Sequence, residues 1–344
     1  MADHPVAALL RSAATCGPGL LVLDENPAGA LPLPPPQWRA LANRCDVQHQ
    51  TQARGWDCIC NDFEFSGYGN LQRAAYRVSK EKRVVEHVLQ ALWQTLAPGG
   101  ELWIAGYKQE GIKTFAARAA AAWQAIAMLQ RGDGGLHLYR FTRGEVAPML
   151  LNEQDYHALM PVIECNGLTL YSKPGIFAWD RIDAGSAFLL AQLPAFLEGR
   201  DGGTLQALDL GCGYGLLALV LLRAGCARVF ATDNNAAAVA AAQRNLALVA
   251  DQERFEVSLQ DCADGLHAPV DLVLCNPPFH QGFTVEGALT DRFLAAARRL
   301  LKPGGEALFV VNAFIPLERK AAPLFADVRT LASDRSFKVL ALRR

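Results

Sequence analysis

The chain has 344 residues, 51% of them hydrophobic and 19% charged, with a formal net charge of −1, which leaves room for two globular domains. The near-zero charge excludes a strongly basic nucleic-acid glove, so any RNA contact must rest on local basic clusters or on shape. Nine cysteines show no metal-ligand pairing, Met1 to Cys16 lacks a basic-then-apolar leader, and apolar runs such as Leu216–Leu222 fall far short of a membrane helix.

In chain order, residues 1–150 carry α/β signals without a recognisable site. Leu20–Leu23 reads as a strand, Pro27 to Pro36 as a proline-rich loop and Trp38 to Cys45 as a short helix. Trp56–Asn61 reads as a strand with an acidic edge, and Phe63–Gly69 as a loop. No helix pattern opens behind that loop, so an ordinary turn anchored by aromatics fits better than a phosphate cradle. The densest basic run, Arg73, Tyr76, Arg77, Lys80, Lys82 and Arg83, suits phosphate contact, although such runs are more often a solvated face.

Lys80 to Leu96 places Val84, Val85, Val88, Leu89, Leu92 and Trp93 at helical spacing; Pro98-Gly99-Gly100 stops it and Glu101–Gly106 reads as a strand. The piece has a twin: Leu96-Ala97-Pro98-Gly99-Gly100-Glu101 matches Leu301-Lys302-Pro303-Gly304-Gly305-Glu306, each after an amphipathic helix, the second being Asp291 to Leu301. Pro-Gly-Gly is a common helix stop, so coincidence competes; a repeated helix–turn–strand unit half a chain apart favours two related α/β domains. The first copy has no Gly-x-Gly-x-Gly and no Asn-Pro-Pro, so it reads as a degenerate domain over 1–150 that supports its partner or binds substrate. Residues 151–171 read as a linker leading into a strand, and 172–344 as the working domain.

In that second part, Ala184 to Phe196 reads as a helix, with Asp183 either capping it or closing with Gly185 over a cofactor. Leu205–Leu210 reads as a strand leading into Gly211-Cys212-Gly213-Tyr214-Gly215 and a helix from Leu216 to Arg223. Glycine at alternate positions, with Leu216 where a dinucleotide fingerprint needs its third glycine, argues against a pyrophosphate ligand. With Asp209 ahead of the turn, the arrangement suits a ligand carrying an ammonium group, and S-adenosylmethionine is such a ligand. The next strand, Arg228–Thr232, ends in Asp233 with Asn234 beside it; Asp233 reads as a ribose holder or as the cap of the helix from Asn235 to Leu248. Arg254–Leu259 is a third strand, after which Asp261 and the Cys262 backbone N–H suit an adenine ring.

A fourth strand, Asp271–Cys275, runs into Asn276-Pro277-Pro278-Phe279-His280. Two prolines cannot continue a ladder and hold the preceding residue extended, so the chain leaves the strand in a stiff loop. That loop offers the Asn276 amide, the Pro277 carbonyl and the Phe279 ring. These suit methylation of a planar exocyclic amine, whose lone pair is delocalised until two acceptors on its N–H groups aim it. Phe279 would stack the base, worth roughly 1–3 kcal/mol; a structural Pro-Pro turn with a core phenylalanine is the plainer reading. Glu306–Val311 is a fifth strand, and Asp327–Leu331 with Phe337–Leu342 reads as an antiparallel edge hairpin.

Asp209-Leu210-Gly211-Cys212-Gly213, then Asp233, Asp261 and Asn276-Pro277-Pro278-Phe279-His280, resemble the class I S-adenosylmethionine-dependent methyltransferases. More narrowly, with Gly175-Ile176-Phe177, Asp183-x-Gly185-Ser186, Asn312-Ala313-Phe314 and Phe337-Lys338-Val339, the chain resembles the bacterial ribosomal RNA guanine-N2 methyltransferases. Within these it is similar to the methyltransferase C type, which acts on the small ribosomal subunit, and to the methyltransferase G type, which acts on the large one. The resemblance is specific over Ser172–Arg344 and looser before it. It implies two tandem Rossmann-like domains, each a seven-stranded, mostly parallel sheet with an antiparallel edge hairpin, the first copy having lost its cofactor. It further implies S-adenosylmethionine over Asp209, Gly211, Cys212, Gly213, Gly215, Asp233, Asn234, Asp261, Cys262 and Asn276, with a guanine of 16S rRNA held by Asn276, Pro277 and Phe279. The expectation is a cytoplasmic monomer that needs no metal and no membrane. Adenine-N6 and protein-glutamine methyltransferases share Asn-Pro-Pro but usually carry Tyr where Phe279 stands, and His280 speaks for the rRNA branch. Two further readings compete: methylation of a guanine in the large ribosomal subunit, and an RNA-binding assembly factor with a vestigial cofactor site.

Overall fold

The computed structural model describes residues 5–13, 17–24, 31–145, 149–165, 167–278 and 287–344. They form two compact units, one running to Ala158 and the other beginning at Leu159. The first contains β1 (Gly19–Leu23), β2 (Trp38–Ala42), β3 (Cys58–Cys60), β4 (Leu71–Arg77), β5 (Leu96–Tyr107), β6 (Met128–Arg131) and β7 (Leu136–Thr142), in the spatial order β3-β2-β1-β4-β5-β7-β6. The second opens with a hairpin, β8 (Met160–Cys165) and β9 (Leu168–Ser172). It continues with β10 (Gln206–Leu210), β11 (Arg228–Asp233), β12 (Phe255–Leu259), β13 (Val270–Cys275), β14 (Leu301–Asn312), β15 (Asp327–Ser333) and β16 (Phe337–Arg343), ordered β12-β11-β10-β13-β14-β16-β15. Strand for strand, the second sheet repeats the first. In both, six strands run in one direction and one, β7 in the first and β16 in the second, lies antiparallel next to the edge.

Helices cover both faces, as parallel sheets require. In the first unit these are α1 (Pro5–Ala13), α2 (Cys45–Gln52), α3 (Lys82–Thr95) and α4 (Ile112–Trp123); in the second, α5 (Ala184–Leu197), α6 (Leu216–Arg223), α7 (Ala236–Leu246), α8 (Gly287–Leu300) and α9 (Leu317–Ala321). The period-two alternation of the strands sorts their side chains. Leu208, Leu210, Phe230, Val273 and Phe309 pack with α8, whereas Ala207, Val229, Ala231, Leu272 and Leu274 pack with α6 and α7. In α3 the apolar stripe is buried as its spacing predicts, and Trp93 stacks on Trp123 of α4 at 4.3 Å between ring centroids.

The twin Pro-Gly-Gly segments have one structural reason. Gly99 and Gly304 both sit at left-handed φ, 78° and 79°, in an irregularity at the start of β5 and β14. A Cβ on the following glycine would lie 2.8 Å from the Leu71 carbonyl in one unit and 3.0 Å from the Asp271 carbonyl in the other. The same kink at the same place in two sheets of the same order is duplication, not a shared helix stop.

Three expectations need correcting. Trp38 to Cys45 is not a helix: Trp38–Ala42 is the strand β2, buried at four of its five residues, and the helix starts at Cys45. Five residues are too few to show a period that separates the two. The basic run Arg73–Arg83 is no continuous face. Tyr76 and Arg77 are buried in β4, Arg77 pairs with Glu110 at 2.7 Å, and Arg73 pairs with Glu101 at 3.3 Å. Residues 151–171, read as a linker leading into one strand, hold nearly all of a two-stranded hairpin, β8–β9, which packs with the second unit's core through Ile163, Cys165 and Leu170.

Candidate active site at the carboxyl edge of the second sheet

In the order β12-β11-β10-β13 all four strands are parallel, so their carboxyl ends share one edge. Asp209, Asp233, Asp261 and Asn276 lie at or just beyond these ends. At an α/β sheet this is where ligands bind.

Behind β10, Gly211, Gly213 and Gly215 all take left-handed φ (81°, 55° and 86°). The Gly211 and Cys212 N–H groups donate to the Thr232 carbonyl at 2.9 and 3.0 Å, which folds the turn against β11. A Cβ on Gly215 would lie 3.1 Å from Ala242 of α7, whereas one on Gly213 would meet nothing within 4 Å. Gly215 is thus demanded by the neighbouring helix, and Gly213 exposes its backbone to open space. Beneath the turn, Asp209 is fully buried. Its Oδ2 accepts from the Ala218 N–H of α6 at 2.9 Å, while Oδ1 has no partner among the described residues. Burial pushes the Asp209 carboxyl up to about 7; the Ala218 N–H opposes this and the Asp233 charge adds to it. A bare carboxylate oxygen under an open glycine turn fits a ligand bearing an ammonium group.

Asp233 ends β11. Its Oδ2 accepts from the Gly213 N–H and its Oδ1 from the Asn235 N–H, each at 2.9 Å. The capping role belongs instead to Asn235, whose Oδ1 accepts from the Ala237 N–H and whose Nδ2 donates to the Gly175 carbonyl at 2.8 Å. Asp233 therefore braces the glycine turn from the end of β11. Asn234 follows, half-buried. Past β12, Asp261 is held by Arg292 of α8, and Cys262 and Ala263 take left-handed φ of 49° and 53°. Two non-glycine residues in that region are uncommon and set the local backbone sharply.

Asn276 follows β13. Its Nδ2 donates to Asp183 Oδ2 at 2.8 Å and to Ser186 Oγ at 2.9 Å. Asp183 also caps α5, accepting from the Ser186 N–H at 2.9 Å. The sequence offered capping or cofactor closure for Asp183, and neither anticipates its grip on Asn276. Pro277 is buried and Pro278 exposed. Phe279 and His280 lie outside the described residues.

Sequence reasoning also missed Asn245. Fully buried on α7, it accepts from the Tyr171 N–H and donates to the Tyr171 and Tyr214 carbonyls, each at 2.8 Å, tying β9 to the glycine turn. A polar residue in an alanine-rich helix was the available signal.

Aligning the two sheets through the Pro-Gly-Gly repeat and the strand registers puts Leu21 at the place of Asp209, Ala42 at that of Asp233 and Arg77 at that of Asn276. Only Asp62 falls where its counterpart, Asp261, is also acidic. The first unit shares the scaffold but has an apolar residue or a cation at three of these four places, its own polar residues Asp24, Asn43 and Asn61 standing elsewhere at the strand ends.

Comparison with known proteins agrees in extent with this geometry. The Methyltransferase small domain profile matches residues 167–341. Ribosomal RNA small subunit methyltransferase C of Pseudomonas aeruginosa (strain UCBPP-PA14) is 33% identical over 335 residues, covering 94% of each chain. Ribosomal RNA large subunit methyltransferase G of Shewanella amazonensis is 37% identical over 179 residues, 51% of this chain and 45% of that one. Among solved structures, the Thermus thermophilus ("T. Thermophilus") 16S rRNA N2 G1207 methyltransferase in complex with AdoMet and guanosine superposes with a TM-score of 0.84 at 26% identity, covering 99% of this chain and 92% of that one.

Proposed function

Because the chain belongs to the methyltransferase small domain family, among the ribosomal RNA small subunit methyltransferase C proteins, we propose that it transfers a methyl group from S-adenosylmethionine to the exocyclic N2 amine of a guanine in 16S rRNA. Two-way coverage of 94% favours the small-subunit type over the large-subunit relative, whose match spans 45% of its own length. The observation that carries the reading is the pairing of β10 with β13, which sets the Asn276-Pro277 corner directly beside the glycine turn and the bare Asp209 oxygen.

In this reading Asp209, Gly211, Cys212, Gly213 and Gly215 hold the methionine end of the cofactor, Asp233 and Asn234 the ribose, and Asp261 and Cys262 the adenine. When bound, the cofactor supplies a methyl carbon made electrophilic by its sulfonium. The guanine N2 lone pair is delocalised into the ring, so the protein's task is to localise and aim it. Asn276 Oδ1 and the Pro277 carbonyl accept the amine's N–H groups, which favours a pyramidal nitrogen, and Phe279 stacks the base. The surplus proton leaves N2 for solvent after transfer, so no strong base is required. Positioning is the main catalytic contribution, against a cost of a few kcal/mol for unstacking the base.

The test is Asn276→Ala. We expect labelled-methyl incorporation into small-subunit rRNA to fall by roughly 100-fold or more, with S-adenosylmethionine affinity nearly unchanged by calorimetry. Full transfer by that variant, or methylation of large-subunit rRNA alone, would overturn the reading. It carries with it a cytoplasmic monomer working without metal. No helix among the described residues is long and apolar enough to cross a membrane. Sedimentation of the pure chain and assay after chelation check the remaining points.

A further inference from the structure

We propose that Asp183 and Ser186 are positioning residues that set which end of the Asn276 amide faces the substrate, and thereby select an acceptor group that carries N–H. The inference rests on the reading of Asn276 as the amine's partner and deepens it. An asparagine side chain has a donor end and an acceptor end of nearly the same shape, and only its partners decide which way it points. Here the Nδ2 end is claimed twice, by Asp183 Oδ2 at 2.8 Å and by Ser186 Oγ at 2.9 Å. An ionised carboxylate can only accept, so it tolerates the NH2 end and repels the oxygen. A flipped Asn276 would set two oxygens against each other. The planar amide then turns Oδ1 away from α5, leaving an acceptor for the substrate. A ring carbonyl presented there meets a like group, and an amine meets its complement.

Helix capping does not account for this cluster. A cap needs one bond, and Asp183 makes it to the Ser186 N–H. The bond to Asn276, 93 residues further along the chain, adds nothing to the helix end. The turn is also shaped for it. A Cβ on Gly185 would stand 3.1 Å from Asp183 Oδ2 and 3.3 Å from Phe337 Cε1, crowding the oxygen that holds both Ser186 and Asn276. The Asp183-x-Gly185-Ser186 segment thus supplies a cap, an orienting carboxylate and a second orienting hydroxyl in four residues.

The experiment is a double-mutant cycle on the full chain. Asp183→Ala and Ser186→Ala each lower kcat for methyl transfer by roughly 10- to 100-fold, with S-adenosylhomocysteine affinity changed by no more than about twofold. Asp183→Asn, which keeps an acceptor oxygen, and Ser186→Thr, which keeps the hydroxyl, each recover at least part of the loss. In an Asn276→Ala background neither alanine variant lowers kcat further, because their effect runs through Asn276. Side-chain amide NMR adds a signature. The Asn276 NH2 pair, identified by its disappearance in Asn276→Ala, is protected from solvent exchange in the parent chain and loses that protection in Asp183→Ala. Losses that persist undiminished without Asn276, or an unchanged NH2 pair in Asp183→Ala, overturn the inference alone. An Asn276→Ala variant with full activity overturns instead the function on which it rests.

Discussion

At the scale of single residues, Asp209 is a carboxyl that burial drives well above its ordinary range. Its raised carboxyl, about 7 against an ordinary 3.8, means that the folded chain holds a proton which the unfolded chain gives up. The stabilisation this brings is fully present below the ordinary value and is lost as pH rises through the folded one. We therefore expect the cofactor-free protein to lose on the order of a few kcal/mol of unfolding free energy between about pH 4 and 7. Asp209→Asn should flatten that slope, as measured by urea denaturation across the range. Saturating S-adenosylmethionine should reduce the wild-type slope, since an ammonium beside Oδ1 favours the ionised form. Identical pH profiles for the two proteins would show that the buried oxygen is better solvated than its geometry implies. Arg77 is the mirror case, a cation at the place where the second unit has Asn276. Its pair with Glu110 is almost wholly enclosed, side-chain exposures being 5% and 4%. Removing one partner of such a pair costs about 3–5 kcal/mol. Glu110→Ala should destabilise the first unit on that scale in a thermal melt, leaving cofactor affinity untouched.

At the scale of elements, local pattern succeeded where one period ran long enough to be counted. Helix α3 was legible from its apolar spacing, and the glycine turn and proline corner from residues that permit few backbone shapes. The short strand β2 was not, because five largely buried residues look alike in a strand and in a helix. Asn245 shows what a correct element assignment still omits. Helix α7 was expected, yet its one buried amide fastens β9 and the glycine turn at once. Asn245→Ala would strand an N–H and two carbonyls, each buried group left unmade costing about 1–3 kcal/mol. The expected result is a melting temperature lower by several degrees and weaker cofactor binding. Unchanged affinity at lowered stability would confine Asn245 to a scaffolding role.

For the whole molecule, two sheets of one topology carry different chemistry. The registers that place Asp209, Asp233 and Asn276 at one edge put Leu21, Ala42 and Arg77 at the matching edge of the other sheet. Titration with S-adenosylhomocysteine should thus give one binding event per chain, lost in Asp233→Ala. A second event of comparable affinity would show that the first unit retained its site. Asp24, Asn43, Asn61 and Asp62 follow strands of the first unit, but none stands at the place of Asp209, Asp233 or Asn276, so we expect that unit to contribute support or substrate contact.

Sequence alone determined the duplicated α/β plan, the glycine turn, the acidic strand ends and the proline corner. Each depends on a few consecutive residues whose backbone limits, or whose repeat, can be read without knowing what lies nearby. Tertiary structure alone decided which end of the Asn276 amide is free, that Asn235 and not Asp233 caps α7, and that Arg77 is buried rather than offered to a phosphate. The Asn276 amide and Arg77 are fixed by partners 93 and 33 residues away, and Asp233 is drawn from the cap by the Gly213 N–H 20 residues back, contacts made only when the sheet closes its order and the helices pack against it.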